Sequence, residues 1–428
     1  MLLKINSLFC FKNLYLFLVI IFSGLAISFY RSQGGLIILF FITIFYLLKY
    51  NINVNDKRLL ITVILWLTYC IFIGLFYSTF VPFFIFRYIV YFLVAFTIFS
   101  LYGNYFFILF EKFIYILCLI NLLFWIAELF FPAQVMSLAS MLDISNNVNP
   151  DADFYSNFFF RTIYRIKDDG FFPRNCGFCW EPGPYSIFIV FTLLLTYFRY
   201  PKSFYRHFSF WVLFISLLTT QSTTGIGAFL IATFYLAVSR SKNESRLIVF
   251  FTLLVLISCI FLLVPFLFDK IQDLYIGSSN VDSLIDRSQA TGKAYSAGRF
   301  GGVVLAYRNF LERPIFGTGG ISLLSVGVSD KGTVYSVSGL ATVLSTFGIV
   351  GFLLYMYFAF KSSVYIARIF HNDGKFAFFI LFICCSFGFN VVHMPVLFAI
   401  ILMAPVAKNN NRLLSASKDS IRSYLMYR

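Results

Sequence analysis

Long apolar stretches alternate with short polar ones along almost the whole chain. Runs at 13–30, 35–48, 59–76, 82–100, 113–131, 184–198, 208–220, 225–238, 247–268, 335–360, 376–390 and 395–407 approach the roughly 20 residues that cross a bilayer as a helix. The pattern predicts an all-α polytopic membrane protein with about twelve transmembrane helices. The first run follows Lys4 and Lys12 as a signal peptide would, but no small-x-small cleavage site precedes the next run, so it is read as the first span. Two polar stretches, 132–183 and 269–334, interrupt the series, and both contain aromatic and apolar residues able to pack. They are expected to be long extracytoplasmic loops with short amphipathic helices. With no internal repeat, 1–428 reads as a single membrane domain carrying these two elaborations.

Composition removes the soluble alternative: with 60% apolar and 12% charged residues, too few polar side chains exist to coat a globule. The net charge of +15 reads as topology and lipid contact, and nothing else points to nucleic acid. With both termini cytoplasmic, the inner segments hold 20 of the 33 Lys and Arg. The outer segments hold 12, of which 11 lie in the two long loops, where the positive-inside bias is weak. Those loops also contain 12 of the 18 acids, so chemistry is expected there.

Within the first loop, RNCGFCWEPGPYS (174–186) places Pro182 and Pro184 where a helix starts and Glu181 near its positive end. Arg174 and Glu181 at a dry boundary are costly unless paired or used. In the second loop, Phe300, Val303, Val304, Tyr307 and Leu311 fall at helical spacing, predicting an amphipathic surface helix that Pro314 stops. Arg308 and Glu312 are spaced to pair at i, i+4. Arg299 stands at the helix start, where a cation opposes the dipole, which marks it as a functional candidate. Gly317, Gly319 and Gly320 give a flexible or tightly turned stretch.

Further candidates lie at the spans and their tips. The short runs at 208–220 and 225–238 suggest that their junction sits below the outer surface, with Ser222, Thr223 and Thr224 lining a recess; bilayer thinning explains the short runs equally well. Arg87 is the basic residue well inside a predicted span, with Glu128 as one partner on offer. His393, with Asn390, occupies the tip between the last two spans. Three tempting motifs are set aside: Asp151-Ala152-Asp153 recurs by chance, Cys176 to Cys179 has thioredoxin-like spacing without a βαβ pattern, and three scattered His offer no metal site.

Together, R-x-x-G-F-x-W-E-P-G (Arg174 to Gly183), the S-T-T-G tip (Ser222 to Gly225), and G-R followed by P-x-x-G-x-G (Gly298, Arg299, Pro314, Gly317, Gly319) resemble the O-antigen polymerase and O-antigen ligase superfamily. The resemblance implies an inner-membrane, multi-pass glycosyltransferase that uses undecaprenyl-diphosphate-linked sugar units and needs neither nucleotide sugar nor metal. Its implied partners are those lipid-linked oligosaccharides, membrane lipids and a chain-length regulator. Ligases of the superfamily generally carry an Arg after the Ser of the tip and a His-Asn pair before the tenth span. Here those places hold Thr223 and Tyr335-Ser336-Val337-Ser338, which favours a polymerase.

The expected chemistry is glycosyl transfer from a diphosphate. Arg174, Arg299 and Arg87, with Ser222 and Thr223, are the candidates for binding the diphosphate and sugar, because a guanidinium contacts phosphate oxygens bidentately without protonation control. Glu181 and then His393 are the candidates for accepting the acceptor hydroxyl proton. The alternatives are an O-antigen ligase acting on a lipid A-core acceptor and, from another class, a lipid-linked-oligosaccharide flippase.

Overall fold

A computed structural model describes residues 10–27, 29, 32–53, 56–77, 81–144, 154–158, 160–165, 172–240, 281–291, 294–320, 333–336 and 338–403. The run at 247–268 and the Asp151–Asp153 motif lie outside the described residues. The helices begin with α1 (Phe11–Ser23), α2 (Gln33–Lys49), α3 (Lys57–Tyr77), α4 (Pro82–Tyr102), α5 (Phe106–Phe130) and α6 (Pro132–Met141). A hairpin of β1 (Phe154–Asn157) and β2 (Thr162–Arg165) follows, then α7 (Pro182–Arg199), α8 (Phe208–Thr220) and α9 (Thr223–Arg240). The remainder is α10 (Val281–Thr291), β3 (Ala294–Ser296), α11 (Gly298–Glu312), β4 (Thr333–Tyr335), α12 (Gly339–Ile369), α13 (Ala377–Gly388) and α14 (Pro395–Ile401).

Stretches at Leu59–Tyr77, Pro82–Phe130 and Gly339–Ile369 are long and apolar enough to cross a membrane, and α1, α2, α8, α9 and α13 are shorter apolar helices. The chain is therefore a mostly helical polytopic membrane protein. Two boundaries differ from the sequence expectation. The first helix stops at Ser23 and not near residue 30, because Leu25 turns into the left-handed region (φ 51°) and bridges to Cys179. The fifth begins at Phe106, after a turn at Gly103 (φ 51°) that separates it from α4.

The chain forms two compact units. One comprises Met1–Ile64, Arg87–Gln221 and Met394–Arg428, the other Leu65–Phe86 and Ser222–His393. In the first, α7 is apolar on nearly all faces and buried almost end to end, packing on α5 and α8. The hairpin closes over α5 and α6 through Phe158, Ile163 and Ala139, with Phe124 and Phe160 packed alongside.

In the second unit, α13 packs on α9 and α12, and α11 lies on α12. Gly388 lets α13 approach α9 closely, since a Cβ there would lie 2.8 Å from Thr224. The long helix α12 is broken at Gly348 (φ 64°, ψ −168°). A strap after α11 completes the break: Ile349 and Val350 donate to the Pro314 and Ile315 carbonyls (2.8 and 3.3 Å), while Thr318 and Gly319 donate to those of Ser345 and Thr346 (2.9 and 3.0 Å). The glycines of the strap are tightly turned, with φ of 73°, 63° and 89° at 317, 319 and 320. A Cβ at Gly317 would meet the Gly348 nitrogen at 2.4 Å, so glycine is required for this approach. The Arg313 guanidinium stacks on Tyr77, 4.3 Å from the ring centre, and the Tyr69 hydroxyl donates to the Phe316 carbonyl (2.7 Å).

Candidate functional site

Arg161 and Arg165, in the stretch 132–183, are built into a largely buried network in the first unit. The hairpin places Arg161 at the base of its turn, where Phe158 donates to the Arg161 carbonyl (3.0 Å). The side chain runs inward, 1% exposed, and donates through Nη2 to Oε2 of Glu128 near the end of α5 (2.5 Å). Arg165, four residues on, donates through Nε to the other carboxylate oxygen (3.1 Å). A third contact joins Arg161 Nη1 to Oδ1 of Asn175. Asn175 in turn ties the stretch to the end of α8: its backbone N–H and Nδ2 donate to the carbonyl and hydroxyl of Thr219 (2.9 and 3.0 Å). Two arginines on one carboxylate leave the cluster with an excess positive charge.

The turn that follows is set by Gly177 (φ 55°), where a Cβ would lie 2.4 Å from the Tyr185 ring. Cys176 and Cys179 are free thiols and fully buried. Burial first of all pushes the Cys176 thiol well above its ordinary value; Arg161 and Arg174 oppose this, and Glu128 and Glu181 add to it. All four charged groups are therefore within electrostatic reach of this buried thiol. Arg174 is half-buried and its Nε has no hydrogen-bond partner among the described residues. Glu181 is the N-cap of α7, half-buried, with extended backbone and no cap bond from its side chain. The helix begins at Pro182, as the sequence predicts.

The remaining candidates are placed as follows. Arg87 lies in α4, half-buried and within electrostatic reach of Tyr88 and Tyr91. The Glu128 carboxylate offered to it by the sequence is held by Arg161 and Arg165 instead. In the second unit, Arg299 is the second residue of α11, at the helix start as expected. Ser222 is buried as the cap of α9, its hydroxyl accepting from the Gly225 N–H (3.2 Å), and Thr223 opens that helix. His393 closes a 3₁₀ turn, with Nε2 3.4 Å from Nδ2 of Asn390. Arg308 does not pair with Glu312: both its Nη groups donate to Asp282 of α10 (2.5 and 3.1 Å), because α10 lies beside α11 and offers a closer carboxylate.

Sequence reasoning missed Arg161, Arg165, Glu128 and Asn175 as one cluster. A signal was present, since Arg161 interrupts the aromatic run NFFFRTIY (157–164), and an Arg among apolar neighbours needs a partner once buried.

This polytopic architecture, with its buried charged network, is joined by a sequence match: residues 208–356 match a family model described as O-antigen ligase. The match supports placing the chain in the superfamily of O-antigen polymerases and ligases. It takes in the S-T-T-G tip, Arg299 and the glycine strap, whereas Arg174 and Glu181 precede it. No curated protein and no solved structure matches the chain.

Proposed function

We propose that this protein is a polysaccharide polymerase of the bacterial inner membrane, joining undecaprenyl-diphosphate-linked oligosaccharide units on the outer face. The observation that supports the reading is that Arg174 and Glu181 both lie within electrostatic reach of the buried Cys176, in the stretch tied by Asn175 to an arginine-rich network. A cation and a carboxylate in one folded element are the two groups the reaction asks for. The acceptor hydroxyl attacks the anomeric carbon of the donor sugar, the carbon–oxygen bond to the diphosphate breaks, and the diphosphate leaves with the electron pair. Arg174, with Arg87 and Arg299 as further candidates, stabilises the growing charge on the phosphate oxygens. Glu181 takes the hydroxyl proton, with His393 as the second candidate base. Ser222 and Thr223 are further candidates for binding the sugar.

The ligase reading is favoured by the description of the matched family, and the sequence departures at Thr223 and at 335–338 favour polymerase. A deletion strain is expected to carry lipopolysaccharide or capsule with at most one repeat unit, and purified protein given lipid-linked units alone is expected to make polymer. Transfer to lipid A-core without polymer would replace the reading by ligase. Flipping without bond formation would replace it by a transporter.

A further inference from the structure

Ser338 departs from the habit of its position. It is the N-cap of α12 with extended backbone (φ −71°, ψ 110°), where a serine normally turns its Oγ onto a first-turn N–H. Ser222 does this at the start of α9. The Ser338 hydroxyl makes no cap bond, is 0% exposed, and has no hydrogen-bond partner among the described residues. A buried hydroxyl in that state carries the desolvation cost of a bond not made.

Two more oxygens share this condition nearby. Ser336 Oγ, two residues earlier, and Asn390 Oδ1 are both buried without a partner among the described residues. The segments touch through backbone: a Cβ on Gly339 would lie 2.1 Å from the Phe389 carbonyl oxygen and 2.5 Å from Asn390 Cα. Glycine at 339 thus seats the start of α12 directly on the turn that carries Asn390 and His393. These two touching segments, the start of α12 and the turn before α14, thus carry three oxygens unpartnered among the described residues and an imidazole.

We propose that Ser336, Ser338, Asn390 and His393 form a binding site for the hydroxyl groups of a sugar. A sugar hydroxyl both donates and accepts, so it satisfies serine hydroxyls and an amide oxygen together. None of the four side chains carries a fixed charge, which suits a neutral sugar better than a phosphate. That the sugar belongs to a lipid-linked repeat unit rests on the polymerase reading above; the hydroxyl-binding site itself does not.

The test uses the full-length protein in lipid nanodiscs, with Ser338→Ala, Ser338→Thr and wild type compared. Three readouts are taken: thermal unfolding midpoint, KM and kcat for polymer formation from lipid-linked units, and saturation-transfer NMR contact with methyl glycosides of glucose, galactose, mannose, rhamnose and N-acetylglucosamine. Ser338→Ala is expected to raise KM about twofold to tenfold, the effect of one lost hydrogen bond, with kcat near wild type. Its unfolding midpoint should hold or rise, because the hydroxyl it removes bonds nothing in the free protein. Ser338→Thr, which keeps a hydroxyl, should restore KM, and glycoside contacts should weaken in the alanine variant alone. Unchanged KM and unchanged glycoside contacts in Ser338→Ala would overturn the site while leaving the polymerase reading intact. A KM change that only tracks a lowered unfolding midpoint would overturn it as well. If wild type makes no polymer yet contacts a glycoside in a Ser338-dependent way, the site stands and the polymerase reading falls.

Discussion

Arg161 meets Glu128 at 2.5 Å with both side chains almost wholly shut off from solvent, across 33 residues of sequence. The pair fastens the hairpin to the end of α5, and through Asn175 it also fixes the segment that presents Arg174. Glu128 also keeps Arg165, so the change that strands a charge in the dry interior is the loss of Glu128, which leaves Arg161 without its carboxylate and typically costs about 3–5 kcal/mol. Glu128→Ala is therefore expected to be among the most destabilising single changes around the hairpin, and Arg161→Ala, which leaves Glu128 on Arg165, to cost less. The unfolding midpoints of the two purified variants in detergent check this, and an unchanged midpoint in Glu128→Ala would count against a buried pair.

Gly348 stands in a backbone conformation that side chains rarely adopt, and a Cβ there would lie 2.3 Å from the Ile315 carbonyl oxygen. Gly348→Ala should cost at least the roughly 1–3 kcal/mol of such strain and loosen the strap. Limited proteolysis should show earlier cleavage near residues 313–320, while Gly227→Ala, with no atom within 4 Å of the new Cβ, should cleave as wild type does.

Arg299 is proposed as a diphosphate ligand, and losing one contact that strengthens in the transition state typically costs about 3 kcal/mol, or roughly a hundredfold in rate. Arg299→Ala should shorten or abolish the polymer ladder. Arg299→Lys should remain impaired if the contact is bidentate. Arg308→Ala breaks only an exposed pair with Asp282 and should leave the ladder as it is. Normal ladders from Arg299→Ala at matched protein levels would remove Arg299 from the site.

The Asp282 carboxyl is held below its ordinary value by the hydrogen bonds from Arg308. A lowered folded value means that the pair contributes stability above the unfolded carboxyl's titration and loses it as the pH falls through the folded one. Asp282→Asn should therefore match wild type in unfolding midpoint in strong acid and fall slightly below it above about pH 4, where the unfolded carboxyl is ionised. A variant that matched wild type throughout would show the pair to be silent.

Cys176 and Cys179 are buried thiols whose titration is pushed far upward, so little thiolate exists near neutral pH. Both should resist maleimide labelling in native membranes and react once the protein is denatured. Rapid native labelling at either position would contradict the closed turn around Gly177.

The helices were legible where a local rule governs them. Apolar length alone located α8, Pro182 marked the start of α7, and Pro314 marked the stop of α11. The network around Glu128 was not legible, because no local pattern joins a hairpin residue to a helix 33 positions away. The same holds for Arg308: the i, i+4 rule pointed to Glu312, but α10 supplied a carboxylate 26 residues off. The glycines at 317, 319 and 320 announced a flexible or tightly turned stretch and gave no hint of Gly348 as their counterpart, since both halves of that arrangement are backbone. Ser338 looked like an ordinary departure from a motif until its hydroxyl proved to be buried without a partner.

The strap that mends α12 also imposes an order on the birth of the protein. Hydrocarbon cannot satisfy bare N–H and C=O groups, so a helix interrupted like α12 is tolerated in a bilayer only once other backbone covers the gap. Pro314, Ile315, Thr318 and Gly319 precede residues 345–350 in the chain, so the backbone that covers the interruption is synthesised before it. A rearranged gene that delivered α12 ahead of the strap is expected to leave the gap facing lipid until the strap follows.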